Sequence, residues 1–248
     1  MARALDGYPR VAPPLRPPVV FDQHWCSLAF LHWPVRPDAV AAMFPPGTRP
    51  DVFDDGHSYV GLVPFEMRDA GLGRRALPYF GRFLETNVRL YSVDDSGRHG
   101  VLFGSLETSR AAIVPLARTL FGIPYTWSRM RMHQDGSVIH YESVRRWPRR
   151  GLRSSITLRI GSATQPTALE EWLTARWGAH SRVLGRTIWV PNAHEAWPLH
   201  EAELLHIADE LVPACGVSVA GELLRVLWSP GVHAQFARPS LVQSRSSG

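Results

Sequence analysis

Short runs of β-type residues, separated by turn signals, recur along most of the chain and restrict its fold more than any other feature. The runs that predict strands are Trp25–His32, Ser58–Phe65, Phe83–Val93, Gly100–Thr108, Trp127–His133, Ser137–Arg145, Leu152–Gly161, Arg182–Val190 and Glu222–Trp228. Predicted helices are fewer and do not alternate regularly with these runs, which argues against a doubly wound parallel sheet. We therefore predict an α+β fold built on a large, mostly antiparallel sheet.

Turn and cap residues set the predicted boundaries of these elements. Two junctions have the Asp and Gly chemistry of hairpin turns, Asp94-Asp95-Ser96-Gly97 and Gln134-Asp135-Gly136. Thr167 and Glu170 form a capping box that begins a helix, and Gly178 ends it. The other predicted helices run from Pro37 to Phe44, from Val114 to Phe121 and from Pro198 to Gly216.

The chain is expected to fold as one domain with a short extension at each end. Its 248 residues, 45% of them apolar, suffice for one large core. Residues 1–18 contain five prolines and predict an extended arm. Residues 243–248 are small and polar and predict a flexible tail, which leaves residues 19–242 as the single folded domain.

Lysine is absent, since all 27 basic residues are arginine. Without a lysine amine the chain cannot form a Schiff base with a carbonyl substrate or hold pyridoxal phosphate as an internal aldimine. It also cannot supply the lysine of a Walker-type phosphate loop. Three large classes of enzyme are therefore excluded.

Charge and cysteine content indicate a cytoplasmic protein that does not bind nucleic acid. The net charge is +5, but the charges are scattered, and the densest run, Arg145–Arg153, is read as a solvated hairpin loop, not a nucleic-acid patch. Cys26 and Cys215 lie in a chain without a signal-peptide pattern, so reduced thiols are expected. No apolar stretch is long enough to span a bilayer. We expect a small-molecule partner, no nucleic acid and no membrane, while a homo-oligomer stays open.

Motifs for metals, nucleophiles and nucleotide cofactors are incomplete. His194-Glu195 would need a second His at position 198 for a zinc-protease motif, and that residue is Pro198. The sequence has no Cys-x-x-Cys pair and no Gly-x-Ser-x-Gly elbow, and Gly71-Leu72-Gly73 lacks the third glycine of a dinucleotide fingerprint. We therefore expect no metal and no cofactor.

Polar residues inside apolar strand runs are the remaining candidates for chemistry. Glu66 ends the run from Val60 to Phe65, and Glu85, Asn87 and Arg89 alternate along another run, so these three share one face of the sheet. Such a face either meets water or lines a cavity, and periodicity alone leaves both readings open.

Several motifs resemble the acetoacetate decarboxylase-like superfamily, in its branch known as domain of unknown function 2071. They are Phe30-Leu31-His32-Trp33-Pro34-Val35, Val60-Gly61-Leu62-Val63-Pro64-Phe65, Glu85-Thr86-Asn87-Val88-Arg89, Gly122-Ile123-Pro124-Tyr125 and His194-Glu195-Ala196-Trp197-Pro198. The resemblance covers nearly the whole folded unit. It implies a sheet curled into a cone-like barrel around a central pocket, with a few outer helices.

The same resemblance implies where the site residues lie. In the decarboxylases a lysine forms a Schiff base and two glutamates assist it; Glu66 and Glu85 match the glutamates, and Tyr125 stands where the lysine would be. Because a phenol has no amine, imine-type decarboxylation is excluded. His194 and Trp197 are read as structural residues that brace a passage from strand to helix. His32 and Trp33 carry the same ambiguity between a structural and a catalytic role, and all four are left out of the catalytic set.

Two functional hypotheses follow. In the first, the chain is a cofactor-free lyase, isomerase or cyclase with Glu85 or Glu66 as general base and Tyr125 as acid or oxyanion donor. Arg89 would bind a substrate carboxylate, with Asn87 as a further substrate-binding residue beside it. Arg145 is either a second carboxylate-binding residue or part of the charged loop Arg145–Arg153. In the second, the chain is a non-catalytic binder that keeps the pocket. An enzyme should show a buried carboxylate with a raised pKa facing Tyr125, whereas a binder could pair both glutamates with arginine.

Overall fold

The computed structural model describes residues 9–72, 75–76 and 81–242, and in these ranges strands greatly outnumber helices. The strands are β1 (Val19–Val35), β2 (Thr48–Pro50), β3 (Ser58–Leu72), β4 (Arg75–Ala76), β5 (Phe83–Asp94), β6 (His99–Thr108), β7 (Tyr125–Asp135), β8 (Val138–Trp147), β9 (Arg153–Ala163), β10 (Gly178–Val183), β11 (Arg186–His194), β12 (His200–Asp209), β13 (Leu227–Ala237) and β14 (Ser240–Leu241). The helices are α1 (Pro37–Val40), followed by a 3-10 turn (Ala41–Met43), α2 (Ile113–Phe121), α3 (Ala168–Thr174) and α4 (Leu211–Ala214).

The two predicted extensions fall partly outside these ranges. The tail 243–248 and residues 1–8 of the arm lie outside the described residues. Residues 9–18 contain no helix or strand, and the Pro9 carbonyl accepts a hydrogen bond from the Trp177 indole. None of the helices in the described part of the chain has the length and apolar character that a membrane span needs.

A single 14-stranded sheet contains all of these strands. Its pairings are antiparallel except at β6, which runs parallel to β7 and to β10. The prediction of a large, mostly antiparallel sheet with few helices is therefore confirmed.

The sheet closes on itself twice. Pairing of β5 with β6 and of β11 with β13 completes a seven-strand ring made of β1, β3, β5, β6, β10, β11 and β13. A nine-strand ring is made of β1, β3, β5, β6, β7, β8, β9, β12 and β13. The two rings share five neighbouring strands, β13-β1-β3-β5-β6, which we call the shared wall.

Each face of the shared wall is buried against a different core. On the nine-strand side, apolar residues of the wall such as Leu62 and Leu90 pack against Ile139 and Ile156 of β8 and β9. On the seven-strand side, α3 packs Trp172 onto the wall. Because both faces are covered, alternate residues of a wall strand enter two separate interiors.

The predicted hairpin turns and the capping box are confirmed, but Gly178 does not end the helix, because α3 ends at Thr174 and Gly178 begins β10. Residues 95–98 join β5 to β6, and the carboxylate of Asp94 at the end of β5 accepts hydrogen bonds from the backbone N–H groups of Ser96 and Arg98, each at 2.9 Å. Residues 136–137 join β7 to β8. Thr167 and Glu170 form the reciprocal capping box at the start of α3.

The helix predicted from Pro198 to Gly216 is wrong, because most of it forms strand β12, followed by the single turn of α4. Ala202 and Leu204 pack toward the nine-strand core two residues apart, as in any strand. A bulge between Leu204 and His206 then leaves Leu205 exposed and returns Ile207 to the core. The spacing of Ala202, Leu205 and Ala208, which indicates a helix, is therefore not that of a buried face, because Leu205 and Ala208 are exposed.

Two strand predictions need correction of their bounds. The run Arg182–Val190 contains a hairpin, because Leu184 and Gly185 both have positive φ and turn β10 into β11. The run Glu222–Trp228 is mostly irregular, and its strand, β13, begins at Leu227 and continues to Ala237.

Candidate functional site

The polar residues of β5 all face the seven-strand ring. Glu85 lies opposite Phe65 on β3, and Asn87 lies opposite Val63. Directly opposed residues of an antiparallel pair project to the same side, and Arg89 continues the alternation. The predicted common face for Glu85, Asn87 and Arg89 is thus observed, and it faces a covered interior.

Tyr125 reaches the same interior from the neighbouring strand. Helix α2 ends at Gly122, whose φ of 61° is left-handed and whose added Cβ would lie 2.0 Å from the Arg182 carbonyl oxygen. The chain then enters β7 with Tyr125 beside Leu106, and Leu106 lies opposite Asn87. A glycine turn and a parallel pairing together position the phenol.

Tyr125 and Glu85 form the central pair of the site. The Tyr125 hydroxyl donates a hydrogen bond of 2.9 Å to Glu85 Oε2. Burial raises the pKa of Glu85 to about 7, against the opposing effect of hydrogen bonds from Tyr125 and Asn87. Burial and the Glu85 charge also raise the pKa of Tyr125 well above its ordinary value. The pair therefore consists of a protonated phenol and a carboxyl that titrates near neutral pH.

Asn87 adds an unused hydrogen-bond acceptor beside this pair. Its side chain is 6% exposed, and its Oδ1 has no hydrogen-bond partner among the described residues. A buried amide oxygen without a partner costs free energy unless a ligand or water donates to it.

Arg89 supplies the positive charge of the site. Its Nε donates to the Tyr91 hydroxyl and its Nη2 to the Leu173 carbonyl of α3, both at 3.3 Å. Its guanidinium lies 5.7 Å from the ring centroids of both Phe30 and Tyr91. Among the described residues no carboxylate forms an ion pair with Arg89, although the side chain is half-buried. This cation is oriented but not neutralised.

A buried histidine, His32, binds the Tyr91 hydroxyl that accepts the hydrogen bond from Arg89. His32 Nε2 and the Tyr91 hydroxyl form a hydrogen bond of 2.7 Å. Burial, with smaller effects from the charges of Arg89 and Arg176, lowers the pKa of His32 well below its ordinary value. His32 is therefore neutral and adds no second positive charge to the interior.

Tyr91, His32 and the Leu173 carbonyl were not identified as site residues from the sequence. Tyr91 continues the alternation of Glu85, Asn87 and Arg89, and this signal could have found it. The contacts of His32 and Leu173 bring together residues from separate parts of the chain and carry no local signal.

The structure does not bring Glu66 together with Glu85. Glu66 lies opposite Leu84, so it projects to the other side of the shared wall. There it accepts a hydrogen bond of 2.7 Å from Arg68 Nε and one of 2.5 Å from Arg82 Nε. The resemblance implies that Glu66 and Glu85 lie together, but they do not. Glu85 lies opposite Phe65, and Glu66, the next residue of β3, faces the other side of the sheet.

Arg145 is also absent from this site. It is buried on the nine-strand side, where its Nε lies 3.1 Å from both carboxylate oxygens of Glu107 and its Nη2 binds the same carboxylate. Ser128 donates to Glu107 at 2.5 Å from the neighbouring strand. The charge of Arg145 is therefore already matched by a carboxylate.

His194 and Trp197 lie at the passage from β11 to β12, a passage between strands and not from strand to helix. His194 Nδ1 lies 2.7 Å from the Glu195 carbonyl oxygen, and burial lowers the pKa of His194 to about 4. Trp197 stacks on Trp25 with 6.0 Å between ring centroids and donates from its indole to the Thr174 carbonyl. These contacts tie the passage to β1 and α3.

Across the described ranges, no three His, Cys, Asp or Glu side chains gather as a metal site would require.

The fold is similar to that of acetoacetate decarboxylase and of an enzyme related to it in shape. The enduracididine biosynthesis enzyme MppR, solved in complex with pyruvate, superposes with a TM-score of 0.63 at 14% identity, covering 93% of this chain and 92% of that one. Acetoacetate decarboxylase from Legionella pneumophila gives a TM-score of 0.63 at 12% identity, over 93% and 92% of the two chains.

Residues 22–233 match the family DUF2071, described as an uncharacterized conserved protein, and the chain belongs to this family. A curated relative, the uncharacterized protein YqjF of Bacillus subtilis, is 26% identical over 205 residues, which is 81% of this chain and 83% of that protein. The resemblance seen in the sequence motifs is thereby confirmed.

Proposed function

We propose that this protein is a cofactor-free enzyme that transfers a proton on a small compound bearing both a carbonyl and a carboxylate group. The reaction would be of the lyase, isomerase or cyclase type and would proceed without a Schiff base. The observation that carries the proposal is the Tyr125–Glu85 hydrogen bond inside the seven-strand ring, with a carboxyl whose pKa is about 7. A base with this pKa is matched to proton transfer at neutral pH.

Arg89 is the proposed anchor for the substrate carboxylate. Its guanidinium has donors to spare and lacks a carboxylate partner among the described residues, so an anionic ligand would supply the missing charge. Arg89 and Glu85 are four residues apart on one strand, about 13 Å between Cα atoms. Their side chains can approach each other across Asn87, which suits a compact molecule with its carboxylate at one end.

The proton transfer can be written with the residues present. Ionised Glu85 takes a proton from the carbon next to the substrate carbonyl, and the electron pair of that C–H bond moves to make an enolate oxygen. Protonated Glu85 no longer needs the Tyr125 O–H, which becomes free to donate to that oxygen. The free acceptor of Asn87 can orient a hydroxyl or N–H of the substrate.

The contrast between the two glutamates supports an enzyme over a binder. Glu85 is buried, faces Tyr125 and has a raised pKa, whereas Glu66 is paired with two arginines on the other side of the wall. The complex of MppR with pyruvate, a compound of the proposed class, is consistent with this reading.

Exchange of substrate hydrogens with D₂O tests the proposal before the complete reaction is known. We expect the protein to catalyse loss of the methyl proton signal of pyruvate, or of the methylene signal of another 2-oxo acid, in proton NMR spectra. Glu85→Gln and Tyr125→Phe should each slow exchange by about 10²-fold or more. Arg89→Gln should mainly raise the 2-oxo acid concentration needed for half-maximal exchange.

Glu66→Gln is the matched control, since it removes a buried carboxylate that lies outside the site, and its exchange rate should equal that of the wild type. Sodium borohydride should trap no covalent adduct, because no lysine is present. Equal exchange in the Glu85→Gln and wild-type proteins would contradict the proposal. So would 2-oxo acids that bind in a calorimeter yet show no exchange above the uncatalysed rate.

A further inference from the structure

A groove on the outside of β7 has the features of a second ligand site. Its cavity measures about 550 Å³, within the range of small-molecule pockets. It is lined by Ser109, Trp127, Ser128, Arg129, Met130, Arg146 and Arg150. None of these residues belongs to the site around Glu85 and Tyr125.

The ends of the neighbouring strands create this groove. The parallel pairing of β6 with β7 covers only residues 106–108 and 125–127, because β6 ends at Thr108. Past Trp127, the edge of β7 that faces away from β8 has no strand partner among the described residues. Backbone N–H and C=O groups at this edge are available to a ligand.

A bulge places an arginine beside the groove. Trp127 pairs with Trp147, but Ser128 pairs with Arg145, so Arg146 is an extra residue in β8. An extra residue in a bulge changes the direction of its side chain relative to the alternating faces of the strand. The loop that follows is closed by hydrogen bonds from Gly151 N to the Arg145 carbonyl and from Arg145 N to the Leu152 carbonyl, and it carries Arg150.

The groove has a positive charge that the protein does not neutralise. Three of its seven lining residues are arginines, and none is acidic. Within the described ranges, Arg129, Arg146 and Arg150 form no ion pair, in contrast to Arg145 of the same segment, which binds Glu107. Three guanidinium groups around one cavity favour an anion with several oxygens, and phosphate fits their planar donor geometry.

An aromatic surface lies next to these charges. Trp127 lines the groove and is 41% exposed, so its ring is accessible to a ligand beside the arginines. A flat ring stacked on an indole gains attraction independent of hydrogen-bond pattern. The arginine-rich segment is therefore more than a solvated hairpin loop, since it forms one side of a cavity that combines cations with an exposed ring.

We propose that this groove binds a small molecule that carries phosphate and a flat ring, as nucleotides do. The ring would stack on Trp127, and the phosphate would contact Arg129, Arg146 and Arg150. This site is independent of the proton-transfer site, so its test does not depend on the substrate of the enzyme.

Isothermal titration calorimetry of the full chain with ADP, pyrophosphate and adenosine separates the contributions of the anion and the ring. We expect ADP to bind more tightly than pyrophosphate, and adenosine to bind weakest. Arg146→Gln combined with Arg150→Gln should weaken ADP binding at least about tenfold and should weaken pyrophosphate binding as well. Trp127→Leu should weaken binding of ADP but not of pyrophosphate.

Arg131→Gln combined with Arg186→Gln is the matched control, because it removes the same charge from exposed positions outside the groove. It should leave ADP affinity within about twofold of the wild type. Absence of ADP binding in the wild type, or equal losses in the two double variants, would overturn the proposal. Tighter binding of a single-stranded oligonucleotide than of ADP would also overturn it, because the groove would then serve a nucleic acid.

Discussion

Glu85 should give the protein a pH-dependent stability that can be measured without any substrate. Burial raises the pKa of Glu85 from its ordinary value of 4.5 to about 7 in the folded protein. The folded state therefore binds this proton more tightly than the unfolded chain does, and the free energy of unfolding falls as the pH rises through this interval. Since one pKa unit corresponds to about 1.4 kcal/mol, the loss is about 3 kcal/mol between pH 4.5 and pH 7, and it persists at higher pH.

Urea denaturation of the wild type and Glu85→Gln at several pH values between 3.5 and 8 isolates this contribution. The neutral glutamine does not titrate, so other groups cancel in the difference between the two proteins. We expect the free energy of unfolding of the wild type, relative to Glu85→Gln, to decrease by about 3 kcal/mol from pH 4.5 to pH 7. A loss of this size is a large part of the stability of a typical domain, 5–15 kcal/mol in order of magnitude, so it is readily measured.

Glu170→Gln serves as a control of opposite sign. Burial acts to raise the pKa of Glu170, but hydrogen bonds from Arg225 and Thr167 outweigh it, and the net change is downward. Its stabilising contribution is present above the unfolded pKa and is lost as the pH falls, so the difference from wild type should shrink toward pH 3.5. A difference between wild type and Glu85→Gln that stays constant from pH 4.5 to pH 8 would show that Glu85 is not a perturbed acid. The proposed proton transfer would then lose its basis.

Three other perturbations test separate parts of the structure. Tyr125→Phe removes a hydrogen bond that lowers the pKa of Glu85, so the midpoint of the pH-dependent change in stability should move above pH 7; an unmoved midpoint would place the phenol elsewhere. Asp94→Asn should lower the free energy of unfolding by about 2–4 kcal/mol at pH 7 in urea titrations, because this fully buried carboxylate accepts several hydrogen bonds. Burial acts to raise the pKa of Asp94, but hydrogen bonds from His180 and Arg98 outweigh it and lower that pKa, so the deficit should shrink only in strong acid. A change below 0.5 kcal/mol at pH 7, roughly that of a surface substitution, would refute its role. Leu204→Glu should destabilise by about 2 kcal/mol or more and Leu205→Glu by less than about 0.5 kcal/mol, whereas the reverse order in thermal unfolding would favour a helix at this position.

Local signals in the sequence predicted the features that depend on neighbouring residues. The capping box at Thr167, the hairpin turn at Asp94 and the common face of Glu85, Asn87 and Arg89 each require only a few consecutive residues. They are therefore visible in the sequence and present in the structure.

Features that depend on strand register were not predictable in this way. Ala202, Leu205 and Ala208 are spaced as on one face of a helix, and only pairing with β9 shows that the segment is a strand. Glu66 follows Phe65 directly, but its side of the wall is fixed by its pairing with Leu84. The match between Arg145 and Glu107 likewise joins β8 to β6 across β7. In each case a distant strand decides the surroundings of the residue.

The shared wall makes the site intolerant of strand misalignment. A slip of β5 by one residue would exchange the contents of its two sides, moving Glu85 and Arg89 into the apolar interior and Val88 and Leu90 into the seven-strand ring. Unpaired charges in an apolar core cost several kcal/mol, on the order of the stability of a domain. The residues that are proposed to perform the chemistry thus also raise the free energy of forms in which β5 is paired in the wrong register.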